Sequence, residues 1–315
     1  MRQFLSCDWG TSSFRLKLVD TPTLLTLSEV HNNYGIASTN SSWQKSTKEE
    51  SRFLFYASVI ASAIFDLESR MNESFAGLPV ILSGMASSSL GMVQLPYKQL
   101  PFKTDGSDLK VEKVKASKEF NHDVFIISGV CSETDVMRGE ETQLVGAVES
   151  TSGDTLYVFP GTHSKHISVK YGTAYAFRTY MTGELFSLLS KDSTLTEAVT
   201  NSDTPDDTNI EAFVAGVKDS ADSNLLHDLF RVRTRFLLDK LGPEQNRSYL
   251  SGLLIGHEVN DILNSDTEGI IVISSNIGDH YRIAMQTLNF SIPFSVKSDN
   301  DASIRGQLRI VSHTV

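Results

Sequence analysis

Two stretches of this chain carry one pattern in one register, and that repetition restricts the open folds more than any other feature. Residues 3 to 7 alternate polar and apolar, as a strand does. Asp8-Trp9-Gly10-Thr11-Ser12-Ser13 reads as a tight turn. Phe14, Leu16 and Leu18 then alternate with Arg15, Lys17 and Val19 as a second strand. The run that starts at Thr155 repeats this. Leu156 stands in the place of Leu5, Gly161 of Gly10, Thr162 of Thr11 and Ser164 of Ser13, while Ile167 and Val169 match Leu16 and Leu18. Two hairpins with Gly-Thr-x-Ser tips, each opening one half of the chain, predict a duplicated fold.

Gly lets a backbone turn and come close to a ligand. Successive N–H groups and small hydroxyls can then wrap an anion. The tips therefore read as two phosphate loops facing one cleft. Asp8 adds a carboxylate at the end of the first strand, suited to holding Mg²⁺ through water. Either tip alone also fits an ordinary hairpin turn; the matched register lifts the pair above that reading.

The chain has 315 residues, room for two domains with a sizeable core. Its formal net charge of −10, without basic clusters or a basic tail, speaks against a nucleic-acid or anionic-membrane partner. An anionic substrate would need a local basic pocket. Cys7 and Cys131 show no CxxC spacing, so neither a zinc site nor a redox motif is expected, and a reduced, cytoplasmic chain is the simplest account. No apolar segment follows a basic start as in a signal peptide, and the longest nearly apolar run, Tyr56 to Phe65, is too short to span a bilayer.

Further along, Thr23 to Val30 reads as a third strand of the meander and Glu49 to Leu67 as an amphipathic helix. Pro79 to Ser83 is a buried-strand pattern followed by a small-residue loop from Gly84 to Ser89. Lys103 to His122 reads as a polar surface excursion, Val124 to Gly129 as a strand, and Glu140 to Val148 as a helix. Ser150 to Asp154 is a small polar linker and the predicted domain boundary. In the second half, strands run to about Tyr180 and a helix starts near Thr182. Asn201 to Asn209 is an acidic loop. Glu211 to Leu263 is helical with a break at Gly242-Pro243. Gly269 to Ser274 and Ile292 to Val296 read as strands, Asp279 to Leu288 and Ala302 to Ser312 as helices. Strand meanders with intervening helices, twice over, predict two α/β domains.

Five strings then occur in order: Val136-Met137-Arg138-Gly139-Glu140-Glu141-Thr142-Gln143-Leu144; Pro160-Gly161-Thr162-His163-Ser164-Lys165; Phe177-Arg178-Thr179; Thr182-Gly183-Glu184-Leu185; and Leu250-Ser251-Gly252-Leu253-Leu254-Ile255-Gly256. Together with the opening hairpin they resemble the 2-keto-3-deoxygalactonate kinases, within the actin-like ATPase and sugar-kinase superfamily. The resemblance spans essentially the whole chain, from Asp8 to about Gly306. It implies two ribonuclease-H-like domains around a central cleft. Residues 1–150 would carry a phosphate loop and the sugar-acid site, and residues 151–315 the second phosphate loop and the adenine site. It implies ATP- and Mg²⁺-dependent phosphorylation of the terminal (6-) hydroxyl of 2-dehydro-3-deoxy-D-galactonate in galactonate catabolism, with ATP and the sugar acid as small-molecule partners. A homodimer stays open.

Carried over residue by residue, the resemblance gives Asp8, Gly10, Thr11 and Ser12 to metal and phosphate. The second tip departs from the wider superfamily, which often has Asp at the position of Phe159; here Phe159-Pro160 precedes Gly161 and Thr162, and His163 and Lys165 offer positive charge instead. Similarity of Arg138-Gly139-Glu140-Glu141 to a segment of the exopolyphosphatase relatives makes Glu141 the catalytic base. Glu140 and Asp135 remain alternatives, and helix capping also accounts for acids at this position. Arg138 would meet the transferring phosphate or a neighbouring carboxylate. Arg178, beside Thr179, is the expected clamp for the substrate carboxylate, since a guanidinium binds carboxylate bidentately; an inter-strand salt bridge is its other reading. Ser83, Gly84 and Met85 would line the sugar site. Thr182, Gly183 and Glu184 fit a helix cap at least as well as a substrate contact. Ser275 and Asn276, between a strand and a helix, would cradle the nucleotide, although relatives show a Gly-rich version. Asn300 stands where relatives have Asp and is not counted as a site residue.

Three other readings compete: a kinase for the epimeric 2-dehydro-3-deoxygluconate, an exopolyphosphatase-like phosphohydrolase, and a non-catalytic sugar-sensing regulator. The first strand starts at residue 3 and leaves no room for the helix-turn-helix such regulators usually add at the N-terminus. Phe-Arg-Thr and the Pro-Gly-Thr-His-Ser-Lys string favour a kinase over a phosphohydrolase.

Overall fold

The computed structural model describes residues 2–46, 51–149, 152–199, 209–221, 223–238, 242–263, 265–298 and 301–314. The chain opens with β1 (Gln3–Trp9), β2 (Phe14–Asp20), β3 (Thr26–Asn32), α1 (Ile36–Lys45), α2 (Arg52–Met71) and β4 (Val80–Gly84). Then come β5 (Lys98–Gln99), β6 (Phe102–Lys103), β7 (Val111–Val114), β8 (Val124–Ile127), β9 (Val130–Cys131), β10 (Val136–Met137) and α3 (Glu140–Ala147). The second half holds β11 (Asp154–Phe159), β12 (Ser164–Lys170), β13 (Thr173–Tyr180), α4 (Thr182–Lys191), α5 (Ile210–Asp219), α6 (Leu225–Leu238) and α7 (Pro243–Asn260). It ends with β14 (Gly269–Ile273), α8 (Gly278–Thr287), β15 (Phe294–Lys297) and α9 (Ala302–Ser312).

The chain forms two compact units. One holds Met1–Ser152, Lys170–Ala176 and Asp299–Val315; the other holds Gly153–Val169 and Phe177–Ser298. In the first unit the strand order is β3-β2-β1-β4-β8-β7. The first three strands form an antiparallel meander, β4 and β8 run parallel to their inner neighbours, and β7 closes the edge antiparallel. Strand alternation splits the faces of this sheet. Leu5, Cys7 and Trp9 of β1, with Leu16 and Leu18 of β2, pack on Tyr56, Ile60, Ile64 and Leu67 of α2. On α9, Gln307 donates to the Cys7 carbonyl and the Ser83 hydroxyl, while Arg305 and Arg309 donate to carbonyls of α3.

In the second unit the order is β15-β14-β11-β12-β13, with β11, β14 and β15 parallel. This repeats the ribonuclease-H-like order of the first unit, a meander followed by parallel strands. Leu156, Val158, Ile270 and Val272 of the sheet pack against Phe213 and Val217 of α5, Ile255 and Val259 of α7, and Tyr281 and Met285 of α8.

Several details depart from the sequence reading. A single boundary at 150/151, two residues outside the described ones, does not reproduce the grouping: 170–176 and α9 cluster with the first unit, because α9 hydrogen-bonds to β1, β4 and α3. Helix α1 went unread because Ser, Thr and Asn are weak helix formers. It forms where Ile36 and Ala37 donate to the Gly10 and Thr11 carbonyls and Trp43 reaches the core. The polar excursion 103–122 contains β7, whose edge position leaves Glu112 and Lys113 exposed. Residues 211–263 form three helices, with a further break after α5. Most of the acidic loop, 201–208, lies outside the described residues, as does Asn300.

Candidate active site

Asp8 lies on β1, one residue before the strand ends, facing Arg15 of β2 and Ser83 of β4 in register. The tip beyond it is closed by Gly10 N–H donating to the Ser13 carbonyl at 2.9 Å. Thr11 and Ser12 are exposed. Gly84, with φ +83° at the end of β4, places no Cβ beside this carboxylate. A Cβ there would stand 3.3 Å from Asp8 Oδ1 and 2.8 Å from the Trp9 carbonyl oxygen. Ser6, Asp8, Arg15 and Lys17 share one sheet face, and with Gln143, Ser303 and Ile304 they line a cavity of about 90 Å³. The strand alternation that carries Asp8 also places Arg15 and Lys17 on this face. Among the described residues no three His, Cys, Asp or Glu side chains gather to hold a metal.

Glu140 and Glu141 open α3. Glu141 is buried, at 1% exposure; its Oε2 accepts from Gly139 N–H at 2.7 Å and its Oε1 from the Thr142 hydroxyl at 2.9 Å. Burial first, and the neighbouring Glu140 charge second, push its carboxyl up to about 8. Glu140 is half-buried and accepts from Arg138 N–H at 3.2 Å. Asp135 sits in a turn, accepting from Val136 N–H at 2.7 Å. Burial and position thus set Glu141 apart from the other two candidates.

Arg138 differs from expectation. Its guanidinium donates to the Ser87 carbonyl at 2.8 Å, to the Ser87 hydroxyl at 2.6 Å and to the Leu95 carbonyl at 3.4 Å, and it lies 4.0 Å from the Tyr97 ring centre. It clamps the loop that begins at Gly84-Met85. Arg52 and Tyr56 hold the same loop through the Ser89 and Leu90 carbonyls. Ser83 also differs: it is buried, and its hydroxyl accepts from Gln307 at 2.9 Å.

In the second unit, Gly161 N–H donates to the Ser164 hydroxyl at 3.3 Å. The start of α4 docks on this tip: Glu184 N–H donates to the Thr162 carbonyl at 3.0 Å, and the Glu184 carboxylate pairs with His163. A Cβ on Gly183 would overlap the Gly161 carbonyl and crowd Thr162 Cα. The first tip has the same support, where a Cβ on Gly35 would overlap Thr11 and Ser12 ahead of α1. Lys165 is buried and donates to the His163 carbonyl at 3.3 Å.

Arg178 is no unoccupied clamp. It donates to Asp261 Oδ2 at 2.6 Å, and the Tyr180 hydroxyl bonds to the same oxygen. These bonds raise the Arg178 pKa and hold that of Asp261 below the usual carboxylate range. Its side chain is 72% exposed, so this is the salt-bridge reading, with α7's end as the partner rather than a strand. Thr179 lies between Arg178 and Tyr180 near the end of β13.

Ser275 and Asn276 occupy the turn between β14 and α8; the Ser275 hydroxyl bonds to Ser298 at 3.0 Å. Asn276 lines a cavity of about 390 Å³ with Phe213 of α5, Ser248 of α7 and His280 of α8. A smaller cavity of about 140 Å³ joins Gly161 and Gly183 to Leu254, Ile277 and Tyr281.

A profile of the 2-keto-3-deoxy-galactonokinase family matches residues 8–310. A curated 2-dehydro-3-deoxygalactonokinase of Escherichia coli (strain K12) is 32% identical over 247 residues, covering 75% of this chain and 79% of that protein. A Rhizobium meliloti (strain 1021) relative named "Probable 2-dehydro-3-deoxygalactonokinase DgoK1" is 28% identical over 322 residues, covering 99% and 97%. A solved Sinorhizobium meliloti structure with a provisional 2-dehydro-3-deoxygalactonokinase name superposes with a TM-score of 0.80 at 26% identity, covering 98% of this chain and 95% of that one.

Proposed function

This chain belongs to the 2-keto-3-deoxy-galactonokinase family, and we propose from that premise that it transfers the γ-phosphoryl group of ATP to the 6-hydroxyl of 2-dehydro-3-deoxy-D-galactonate. The observation that carries the reading is the buried Glu141 at the start of α3, in the unit that also bears Asp8. A base works best with a pKa near the working pH, and burial brings Glu141 there.

Glu141 accepts the proton of the acceptor hydroxyl as its oxygen attacks the γ-phosphorus in line; the bond to the β,γ-bridging oxygen breaks and ADP leaves. The Gly84-Met85 loop, clamped by Arg138, lines the acceptor side. Backbone N–H groups and hydroxyls of Thr11 and Ser12, with Arg15 and Lys17, offer donors and positive charge to phosphate in the first unit. Gly161, Thr162, His163 and Lys165 do so in the second. Asn276 and the cavity beside it would hold the nucleoside. Asp8 would hold Mg²⁺ through water, and the opening left by Gly84 fits that role. When bound, the ion supplies neutralising charge on the phosphates. Cys7 and Cys131 are buried and unpaired, in keeping with a reducing cytoplasm.

A coupled ADP-release assay with 2-dehydro-3-deoxygalactonate and its gluconate epimer tests the reading. Faster turnover of the galactonate form is expected. Preference for the epimer would change the substrate, and polyphosphate cleavage without transfer to either would overturn the kinase.

A further inference from the structure

Beneath the second tip lies a buried polar cluster that the reaction above does not use. Its centre is Glu258 of α7, at 3% exposure. Its Oε1 bonds to His166 Nε2 at 2.8 Å, and both its oxygens accept from the Tyr281 hydroxyl, at 2.8 and 2.9 Å. Thr182, the first residue of α4, donates to Oε2. Tyr281 in turn bonds to the Ser164 hydroxyl at 3.2 Å, the group that accepts Gly161 N–H. Burial, then the Glu258 charge, raise the Tyr281 hydroxyl well above its ordinary value, so it stays a donor.

A buried carboxylate without several donors is costly, and a site that supplies them ties their elements together. Here the donors sit on three separate elements. His166 belongs to β12, which starts at the second tip. Thr182 starts the helix whose next residues back that tip. Tyr281 lies three residues past Gly278, on the helix that follows the Asn276 turn.

We propose that Glu258 is a positioning residue for nucleotide binding, fixing the second tip, the start of α4 and the Asn276 turn through His166, Thr182 and Tyr281. The inference rests on assigning ATP to this unit. Its effect runs through groups that would meet ATP, so it should alter ATP affinity selectively. The carboxylate matters as well as the shape: Glu258→Gln puts an amide donor among groups that all donate to Glu258.

The test combines steady-state kinetics with calorimetric titration of ATP and thermal melts, on Glu258→Gln and on Tyr281→Phe. Glu258→Gln is expected to raise the ATP KM and Kd about tenfold, in line with losing charge-assisted hydrogen bonds, while the acceptor KM stays within about twofold. Tyr281→Phe should shift ATP affinity the same way by less, and the double variant should match Glu258→Gln alone, since the two belong to one chain of bonds. A lowered melting temperature with unchanged ATP Kd, or an equal rise in both KM values, would overturn the inference. Should Glu258→Gln fail to fold, Tyr281→Phe alone decides by the same criterion. Absence of turnover by the unmodified protein on the sugar acid would sink the kinase reading alone, because ATP titration still reads Glu258.

Discussion

The two hairpin tips share a backbone plan and differ in their chemistry. In each, a residue lacking Cβ at the start of the helix after the third strand lies against the tip, Gly35 at the first and Gly183 at the second, and the residues after it donate N–H groups to tip carbonyls: Ile36 and Ala37 at the first, Glu184 at the second. The first tip closes backbone to backbone, with Asp8 at its base; the second closes on the Ser164 hydroxyl, with Phe159 where a carboxylate would match Asp8. The support beneath them differs too. Beneath the first lies an apolar face against α2; beneath the second lies the Glu258 cluster. One plan thus specialises by what each tip carries. The first unit adds acidic groups, Asp8 and Glu141; the second adds His163 and a hydrogen-bonded base for the loop.

The largest break expected of this comparison is at Glu141, the base proposed for the first unit. Glu141→Gln should lower kcat about 10²- to 10⁴-fold while calorimetric ATP affinity is kept; unchanged turnover would hand the role to Glu140 or Asp135. In the unmodified enzyme, kcat/KM should climb with pH and level off above about 8, the value to which burial brings Glu141. Stability should move the other way. Between the ordinary 4.5 and about 8 the folded protein holds a proton that the unfolded chain has lost, so this group makes unfolding easier as pH rises through that window. Denaturant midpoints across that range measure it.

Next comes the proposed metal ligand, Asp8. Asp8→Asn should lower kcat/KM for MgATP by roughly 10²-fold, the scale of one lost electrostatic contact in an active site. Titration with Mg²⁺ would show whether more ion restores the rate. No restoration at any concentration would place Asp8 elsewhere in the chemistry.

Smaller effects probe the shared plan. Gly35→Ala and Gly183→Ala each force a Cβ into tip backbone and should cost about 1–3 kcal/mol in chemical denaturation. Gly161→Ala meets nothing within 4 Å and should fall well below that. Equal losses at all three would show that docking of the helix start is not what holds the tips. Smallest of all, Glu184→Gln breaks an exposed pair with His163 and should change stability by less than about 1 kcal/mol.

Much of the fold was readable because it repeats. Period-two alternation marks β1, β2 and β12, and period three to four marks α2. Helix α1 was not readable, because its Ser-Thr-Asn sequence forms a helix only against the first tip and the core. Candidates on a tip or a helix start, Asp8, Thr11, His163 and Glu141, could be named from sequence because local pattern places them there. Arg138 and Arg178 were not, since a guanidinium looks the same in sequence whether it clamps a loop, pairs with Asp261 or waits for a ligand. Glu258 was hidden for the opposite reason, because a lone Glu in a helix gives no sign in sequence of which distant donors it will meet.

The sequence by itself determined the duplicated hairpin, the family, and the asymmetry between Asp8 and Phe159, because these rest on local pattern and residue type. Only the tertiary structure decided that α9 belongs with the first unit, that Arg138 holds a loop, and that Glu258 gathers donors from β12, α4 and α8. Those facts depend on which distant residues share a buried space, and burial sets both the cost of a charge and the partners that offset it.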